Sequence, residues 1–378
     1  MNPNTPRIMI IAGEASGDLY GARLMRAFRL LHPEAEFFGI GGDLMREEGA
    51  ELLYHISQTA IMGFVEVAKH YPFLKEMFAN CEKQYAERGP DAVVLIDYPG
   101  FNLRFAKKVK EAGGRVLYYI SPQVWAWGKN RAQKMVGLID HLACVFPFEE
   151  KLFNDIGIPT TFVGHPLVEI LENVDRAKFL STHGLPTDKP ILGLFPGSRE
   201  QEVHRLLPAM LEGARHVRKR TDCTIAVGAA RLPDSMYEPY LKNTHDVYLI
   251  RGATHGLMQH SHAAVVASGT ATVETAWYET PMVIVYRASW LNYQIGKRLV
   301  NVDNIGMVNI LAGHRIVPEL LQADVRDAYI AQYIMPYFTD EKTRSATIEN
   351  LRLVKKQMGS AGASQRTAEI LANLIRGN

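Results

Sequence analysis

Residues Ala92 to Ile96 read Ala-Val-Val-Leu-Ile, and a carboxylate follows directly at Asp97. A strand that is apolar at every position has no solvent face, so it must be covered on both sides, as strands inside parallel sheets are. Short β-branched runs of this kind recur along the chain. Longer amphipathic stretches separate them, a rhythm that predicts parallel strands joined by crossover helices. In the first half, strands are expected at Arg7–Gly13, Glu36–Gly41, Asp91–Tyr98, Arg115–Ser121, His141–Phe146 and Thr160–Gly164. Helices are expected at Asp18–Leu31, within Val65–Arg88, at Leu103–Ala112 and at Glu149–Ile156. A less regular segment at about Pro166–Pro190, with helical signals at Leu167–Leu180, separates this half from the next. The rhythm then restarts, with strands at Ile191–Phe195, Thr224–Val227, Val247–Arg251, Ala263–Ala267 and Pro281–Tyr286. Helices are expected at Glu200–Lys219, Thr254–His260, Thr270–Glu279 and Leu291–Leu299, and the tail from Asp340 reads as helical, split near Gly359–Gly362.

At roughly 100–200 residues per domain, 378 residues favour two domains. Two successive open α/β units predict a ligand cleft outside the carboxyl ends of the strands. A net charge of +2 is too weak to imply nucleic acid, which usually demands a concentrated basic face, and it allows a local basic patch against an anionic membrane. The three cysteines, Cys81, Cys144 and Cys223, are far apart, so they read as core residues rather than a disulfide or metal framework. The N-terminus lacks the pattern of a secretory signal and no run of 18 apolar residues occurs, so any membrane contact is expected to be peripheral.

Several strand ends carry chemistry. In IAGEASGD, Ile11–Asp18, small residues let a ligand approach a helix start, and Glu14 is placed to bind sugar hydroxyls or take a proton. The same residues also make a tight turn with Ser16 as helix cap. In VVLIDYPGFN, Val93–Asn102, a buried strand delivers Asp97 to a cleft, where desolvation raises a carboxylate's pKa and suits it to general-base work. Capping of the following helix is the other reading. Trp125 and Trp127, beside Lys129 and Arg131, can stack on sugar faces near a phosphate, or simply pack.

In LFPGSRE, Leu194–Glu200, Gly197 and Ser198 precede a helix, and Arg199 offers a bidentate phosphate donor. The alternative there is a capping box on Ser198 answered by Gln201 or Glu202. In ASGTATVETAWYETP, Ala267–Pro281, the residues Ser268, Gly269, Thr270, Ala271 and Thr272 open a helix suited to a diphosphate. Glu274 lies one turn on, within reach of a ribose diol. A well-capped core helix would look the same, but Arg199 in the same half favours the anion site. His255, His260 and His262 lack metal-ligand spacing, so no metal is assigned. The fragment Gly39–Gly42 lacks the last glycine of a dinucleotide fingerprint, which argues against a nicotinamide oxidoreductase. The apolar stretch Ile61–Leu74, with Lys69 and Lys75 nearby, reads either as core or as a surface that dips into a bilayer.

Taken in order, GEASGD (13–18), GIGG (39–42), MGFVEV (62–67), DYPGFN (97–102), SPQVWAW (121–127), FPFE (146–149), VGHP (163–166), PGSR (196–199), SGTATVE (268–274) and NILAG (309–313) resemble the lipid-A-disaccharide synthase family over nearly the whole chain. The resemblance implies the GT-B architecture, two Rossmann-like parallel-sheet domains facing across a cleft. Residues 1–166 would bind the acceptor, residues 167–338 the UDP-sugar, and residues 339–378 would pack back on the first domain. The implied donor is UDP-2,3-diacylglucosamine and the implied acceptor 2,3-diacylglucosamine 1-phosphate. The implied product is the β-1,6-linked lipid A disaccharide 1-phosphate, on the route to the lipopolysaccharide of the Gram-negative outer membrane. Inversion at the anomeric carbon, without metal or cofactor, is implied as well.

On this basis Asp97 is expected to be the base, with Glu14 as rival and Asn309 at a family position linked to activity. Gly197, Ser198, Arg199, Ser268–Thr272 and Glu274 would hold UDP, and Ser16, Gly17, Trp125 and Trp127 the acceptor. Val65, Val67, Tyr71, Phe73 and Leu74 would touch inner-membrane lipids from the cytoplasmic side, and a homodimer is compatible with the family. The tryptophan motif departs from expectation in running on as Gly128-Lys129-Asn130-Arg131, which leaves acceptor-phosphate binding there open. Competing expectations are another GT-B enzyme, such as a UDP-GlcNAc epimerase or a peptidoglycan-type transferase, and a catalytically silent UDP-sugar-binding module.

Overall fold

The computed structural model describes residues 5–59, 70–122, 132–230, 232–242, 247–288 and 304–377. The chain divides into two units. One runs through Glu169 and takes in Met358 onward; the other comprises the described residues from Ile170 to Gln357.

The first unit is a parallel seven-stranded sheet. Its strands are β1 (Arg7–Ala12), β2 (Glu36–Gly41), β3 (Ala50–His55), β4 (Ala92–Ile96), β5 (Val116–Tyr119), β6 (His141–Cys144) and β7 (Thr160–Phe162), in the order β3-β2-β1-β4-β5-β6-β7. Successive side chains of a strand face opposite sides. Met9, Ile11, Val93 and Leu95 therefore share one core with Phe101, Phe105 and Val109 of the helix Pro99–Glu111 and with Met77 and Cys81 of the helix Tyr71–Arg88. The helix Ala15–Leu31 packs against the C-terminal helix Ala363–Arg376. Three sets of bonds hold that last helix in the unit. His165 N–H donates to Met358 O at 2.8 Å, and Arg366 Nε and Nη2 donate to Val163 O at 2.8 and 2.6 Å. Glu169 accepts from the N–H groups of Gly362 and Ser364 and from the Ser364 hydroxyl.

The second unit repeats the plan with β8 (Ile191–Phe195), β9 (Thr224–Ala229), β10 (Val247–Arg251), β11 (Ala263–Ala267), β12 (Met282–Tyr286) and β13 (Glu319–Leu321), ordered β10-β9-β8-β11-β12-β13, all parallel. The helix Glu200–Thr221 buries Val203, Leu207, Met210, Ala214 and Val217, a stripe at helical pitch, in that unit's core. All three cysteines are buried.

The structure departs from the sequence expectations at several elements. The tail does not return as a whole, because the helix Glu341–Gln357 belongs to the second unit. Leu351 and Val354 are buried there, and Arg352 and Lys355 pair with Glu279 at 2.8 and 3.2 Å. Instead of a helix over Leu167–Leu180 there is a 3-10 turn, Pro166–Glu169, and then a helix from Arg176, started by Asp175 accepting from Lys178 N–H at 2.8 Å. The edge strand β3, the three-residue strand β13 and the helix Asp327–Thr339 were not anticipated. The expected helix Leu291–Leu299 lies outside the described residues.

Candidate active site

In the first unit, parallel pairing sets Ala12 beside Ile96. Glu14 and Asp97 therefore emerge at the same edge, between β1 and β4, where the strand order reverses. Ligands of doubly wound sheets bind at that kind of place. Asp97 and Tyr98 are both left-handed, with φ of 46° and 45°, a conformation that costs a non-glycine residue about 1–3 kcal/mol unless its surroundings enforce it. They do so here. The buried Asn102 donates from Nδ2 to Ile96 O at 3.2 Å and to Asp97 O at 2.7 Å, and the Tyr118 hydroxyl donates to the same Asp97 carbonyl. The Tyr98 ring lies over Gly13 so closely that a Cβ at that position would fall 2.3 Å from it, so residue 13 has no room for a side chain. Burial, and then the neighbouring Glu14 charge, raise the Asp97 carboxyl to about 6 against partial relief from the Tyr98 N–H.

Glu14 is the N-cap residue of the helix Ala15–Leu31 and makes no side-chain cap bond. Ser16, weighed as that cap, instead sits within the first turn. Gly17 is buried against Ala12. Asp18 is structural. Its carboxylate accepts from the N–H groups of Gly42, Leu44 and Met45, tying GEASGD to GIGG. Ser121 is anchored by a hydroxyl bond to the buried Glu149, whose other oxygen accepts from Phe146 N–H at 3.2 Å. Two more of the family motifs are thereby joined. Trp125, Trp127, Val65 and Val67 lie outside the described residues. Tyr71 is exposed, whereas Phe73 and Leu74 are half-buried and pack on the first unit's core, Phe73 edge-on to Tyr54. Those two are therefore at least partly core residues.

In the second unit, Phe195 pairs with Val266, so the turn after β8 and the turn after β11 meet at the corresponding reversal. They enclose a hollow of ≈ 320 Å³ lined by Gly197, Ser198, Arg199, Ser268, Gly269, Thr270, Ala271 and Glu274. Seven of the expected nucleotide residues share this hollow with Glu274. A second hollow of ≈ 940 Å³ also uses Ala230 and Thr254 as lining. Glu274 Oε2 lies 3.6 Å from His255 Nε2, a neighbour that sequence reasoning did not pair with it. His260 and His262 bond the carbonyls of Val174 and Tyr337.

Two expected site residues have other work. Thr272 is buried, with its hydroxyl donating to Gly269 O at 2.8 Å, so it shapes the helix start from inside. Asn309 is wholly committed to protein partners. Its Oδ1 accepts from Ile316 and Val317 N–H at 2.8 and 3.0 Å, and its Nδ2 donates to Val317 O and Glu319 Oε1 at 2.9 and 2.7 Å. Glu319 in turn accepts from Ile305 and Gly306 N–H, and Ile305 O accepts from the Ser268 hydroxyl at 3.4 Å. Asn309 therefore organises the loop behind Ser268, with all four of its side-chain hydrogen bonds made inside the protein. Only the acidic half of the expected capping box forms: Arg199 is the N-cap, Glu202 accepts from the N–H groups of Ser198 and Arg199, and the Glu202 N–H bonds the Arg199 carbonyl rather than a side chain.

Two parallel Rossmann-like units, each with its polar residues gathered at the strand-order reversal, define the GT-B architecture. The backbone resembles a putative UDP-N-acetylglucosamine 2-epimerase from Listeria monocytogenes (TM-score 0.67, 12% identity, 99% of this chain and 97% of that one). It also resembles CalG4, the calicheamicin glycosyltransferase (TM-score 0.62, 14% identity, 99% of each chain). At such identities the likeness speaks for the fold alone. Sequence carries the assignment further: the lipid-A-disaccharide synthetase family model matches residues 8–373. The lipid-A-disaccharide synthase of Trichlorobacter lovleyi is 42% identical over 376 residues, 98% of this chain and 97% of the relative. The chain belongs to the lipid-A-disaccharide synthase family.

Proposed function

We propose that the chain transfers 2,3-diacylglucosamine from UDP-2,3-diacylglucosamine to the 6-hydroxyl of 2,3-diacylglucosamine 1-phosphate. The C1–oxygen bond to the diphosphate breaks, the C1–O6 bond forms with inversion, Asp97 takes the hydroxyl proton and UDP leaves. The observation that carries this reading is the single hollow where the Gly197–Arg199 turn and the helix start at Ser268–Ala271 converge. Backbone N–H groups at helix starts and a guanidinium are donors for a diphosphate, and offsetting the leaving group's growing charge is usually the largest catalytic contribution. Glu274 is the ribose partner in this scheme, and the larger hollow has room for the nucleoside. Asp97 is preferred to Glu14 as base because a carboxyl raised to about 6 is both ionised near neutrality and more basic than an ordinary one.

Ser16 and Gly17, at the same edge as Asp97, are proposed to meet the acceptor, together with Trp125 and Trp127. Peripheral attachment to the cytoplasmic face of the inner membrane, with Tyr71 in contact, and a homodimer belong to the same proposal. The test is incubation with both acylated substrates in detergent, without added metal, read by product mass. Disaccharide 1-phosphate and UDP are expected in equal amounts; no disaccharide from folded protein would overturn the reading.

A further inference from the structure

The hollow between the ends of β8 and β11 contains an anion of the chain's own. Glu202 Oε2 accepts from the N–H groups of Ser198 and Arg199 at 3.0 and 3.2 Å, and its Oε1 accepts from Arg199 Nη1 at 2.8 Å. In a capping box the carboxylate at the third helical position contributes one bond, to the N-cap N–H, here that of Arg199. The other two go beyond it. One reaches an N–H that precedes the helix, and the other ties down the guanidinium. The carboxylate also covers Gly197, whose φ is 109°: a Cβ there would lie 2.2 Å from Glu202 Oε2. Glu202 itself lines the hollow. Three donors that a phosphate oxygen would use at this turn, the Ser198 and Arg199 N–H groups and the Arg199 guanidinium, are thus already engaged by a carboxylate. An incoming diphosphate would compete for the same N–H groups and meet a like charge.

We propose that Glu202 is an internal counter-anion of the nucleotide site: it holds the Gly197–Arg199 donors when nucleotide is absent and yields them to the diphosphate. Glu202 thereby weakens UDP binding and eases departure of that product. This inference rests on the nucleotide reading of the hollow given above. It also makes the sign of a substitution informative. A residue that merely capped its helix would, when removed, loosen the turn and weaken UDP binding. Removing a competing anion strengthens it, and strengthens it more at low salt, where like-charge repulsion is less screened.

The test is calorimetric titration of UDP into the unaltered chain and into Glu202→Gln and Glu202→Ala, at low and high salt, with melting curves to establish folding. Binding about ten-fold tighter in the folded variants, with a larger gain at low salt, is expected. Affinity that is unchanged or weaker in a folded variant would overturn the role. A crystal structure of the unaltered chain with UDP supplies a check that needs no variant. Glu202 is expected to have left the Ser198 and Arg199 N–H groups; finding it still on both would equally overturn the proposal. Absence of UDP binding by the unaltered chain would bring down the nucleotide reading together with this one, whereas UDP binding that the substitutions leave unmoved strikes Glu202 alone.

Discussion

Asp97 sits where a charge is expensive, and this sets how its site responds to pH. Its carboxyl is raised from 3.8 to about 6 by burial and by Glu14, so the fold prefers the protonated form. The penalty is absent below pH 3.8, grows as pH rises towards 6, and is constant above that. Asp97→Asn should therefore melt higher than the unaltered chain at pH 8 and lose that advantage near pH 4. Turnover should fall by about 10²–10⁴-fold, as for loss of a general base, while UDP affinity stays the same. Near-normal turnover in the variant would pass the proton to Glu14 or elsewhere. For the unaltered enzyme, the pH profile of kcat/KM should rise through about 6. Asn309 makes the opposite kind of prediction. All of its hydrogen-bonding capacity is spent on Ile316, Val317 and Glu319 inside the protein. Asn309→Ala should lower stability by about 2–4 kcal/mol in denaturant titration, and activity should fall in step with it. Activity lost at unchanged stability would instead assign it a direct catalytic role.

At the scale of elements, the sequence was most legible where burial is total. The strands β1, β4, β8 and β11 are almost continuously apolar, and the pairings Ala12 with Ile96 and Phe195 with Val266 bring the motif residues to the two reversals. The strands that escaped notice are those for which pattern is weak. β3 lies at an edge and is half-exposed along most of its length, and β13 is three residues long. Bonds that no hydrophobic period encodes were also illegible. Periodicity does not announce that Asn102 reaches back to pin the Asp97 carbonyl, that Asp18 serves the distant turn at Gly42, or that Glu202 covers Gly197 besides capping its helix. Composition cannot separate core from lipid contact on the helix Tyr71–Arg88 either, and there the structure divides the candidates. Phe73 and Leu74 pack inward, while Tyr71 is 58% exposed at the helix start. Tyr71→Asp should reduce co-sedimentation with anionic vesicles without changing the melting temperature, whereas Phe73→Asp should destabilise the fold. Undiminished vesicle binding by Tyr71→Asp would remove this residue from the proposed membrane contact.

At the scale of the whole molecule, each unit has its own apolar core, and the proposed chemistry divides along the same line. Met9, Val93 and Phe105 belong to the core beneath Asp97, and Leu194, Met210 and Val265 to the core beneath Arg199. A ligand stabilises whatever must be folded to bind it, by about 2.7 kcal/mol at a hundred times its Kd. If UDP binds at the turns after β8 and β11, local openings that destroy those turns become up to about a hundred-fold rarer. Amide exchange in β8 and β11 should then slow markedly with saturating UDP, and exchange in β1 and β4 should slow much less. Arg199→Ala should need far more UDP to reach the same protection, because it removes the guanidinium while leaving the strands intact. Asp97→Asn should leave the protection pattern unchanged while turnover falls. Equal protection of all four strands, or protection confined to β1 and β4, would contradict this division, because the nucleotide's phosphates would then not depend selectively on the turns that Arg199 and Ser268 occupy.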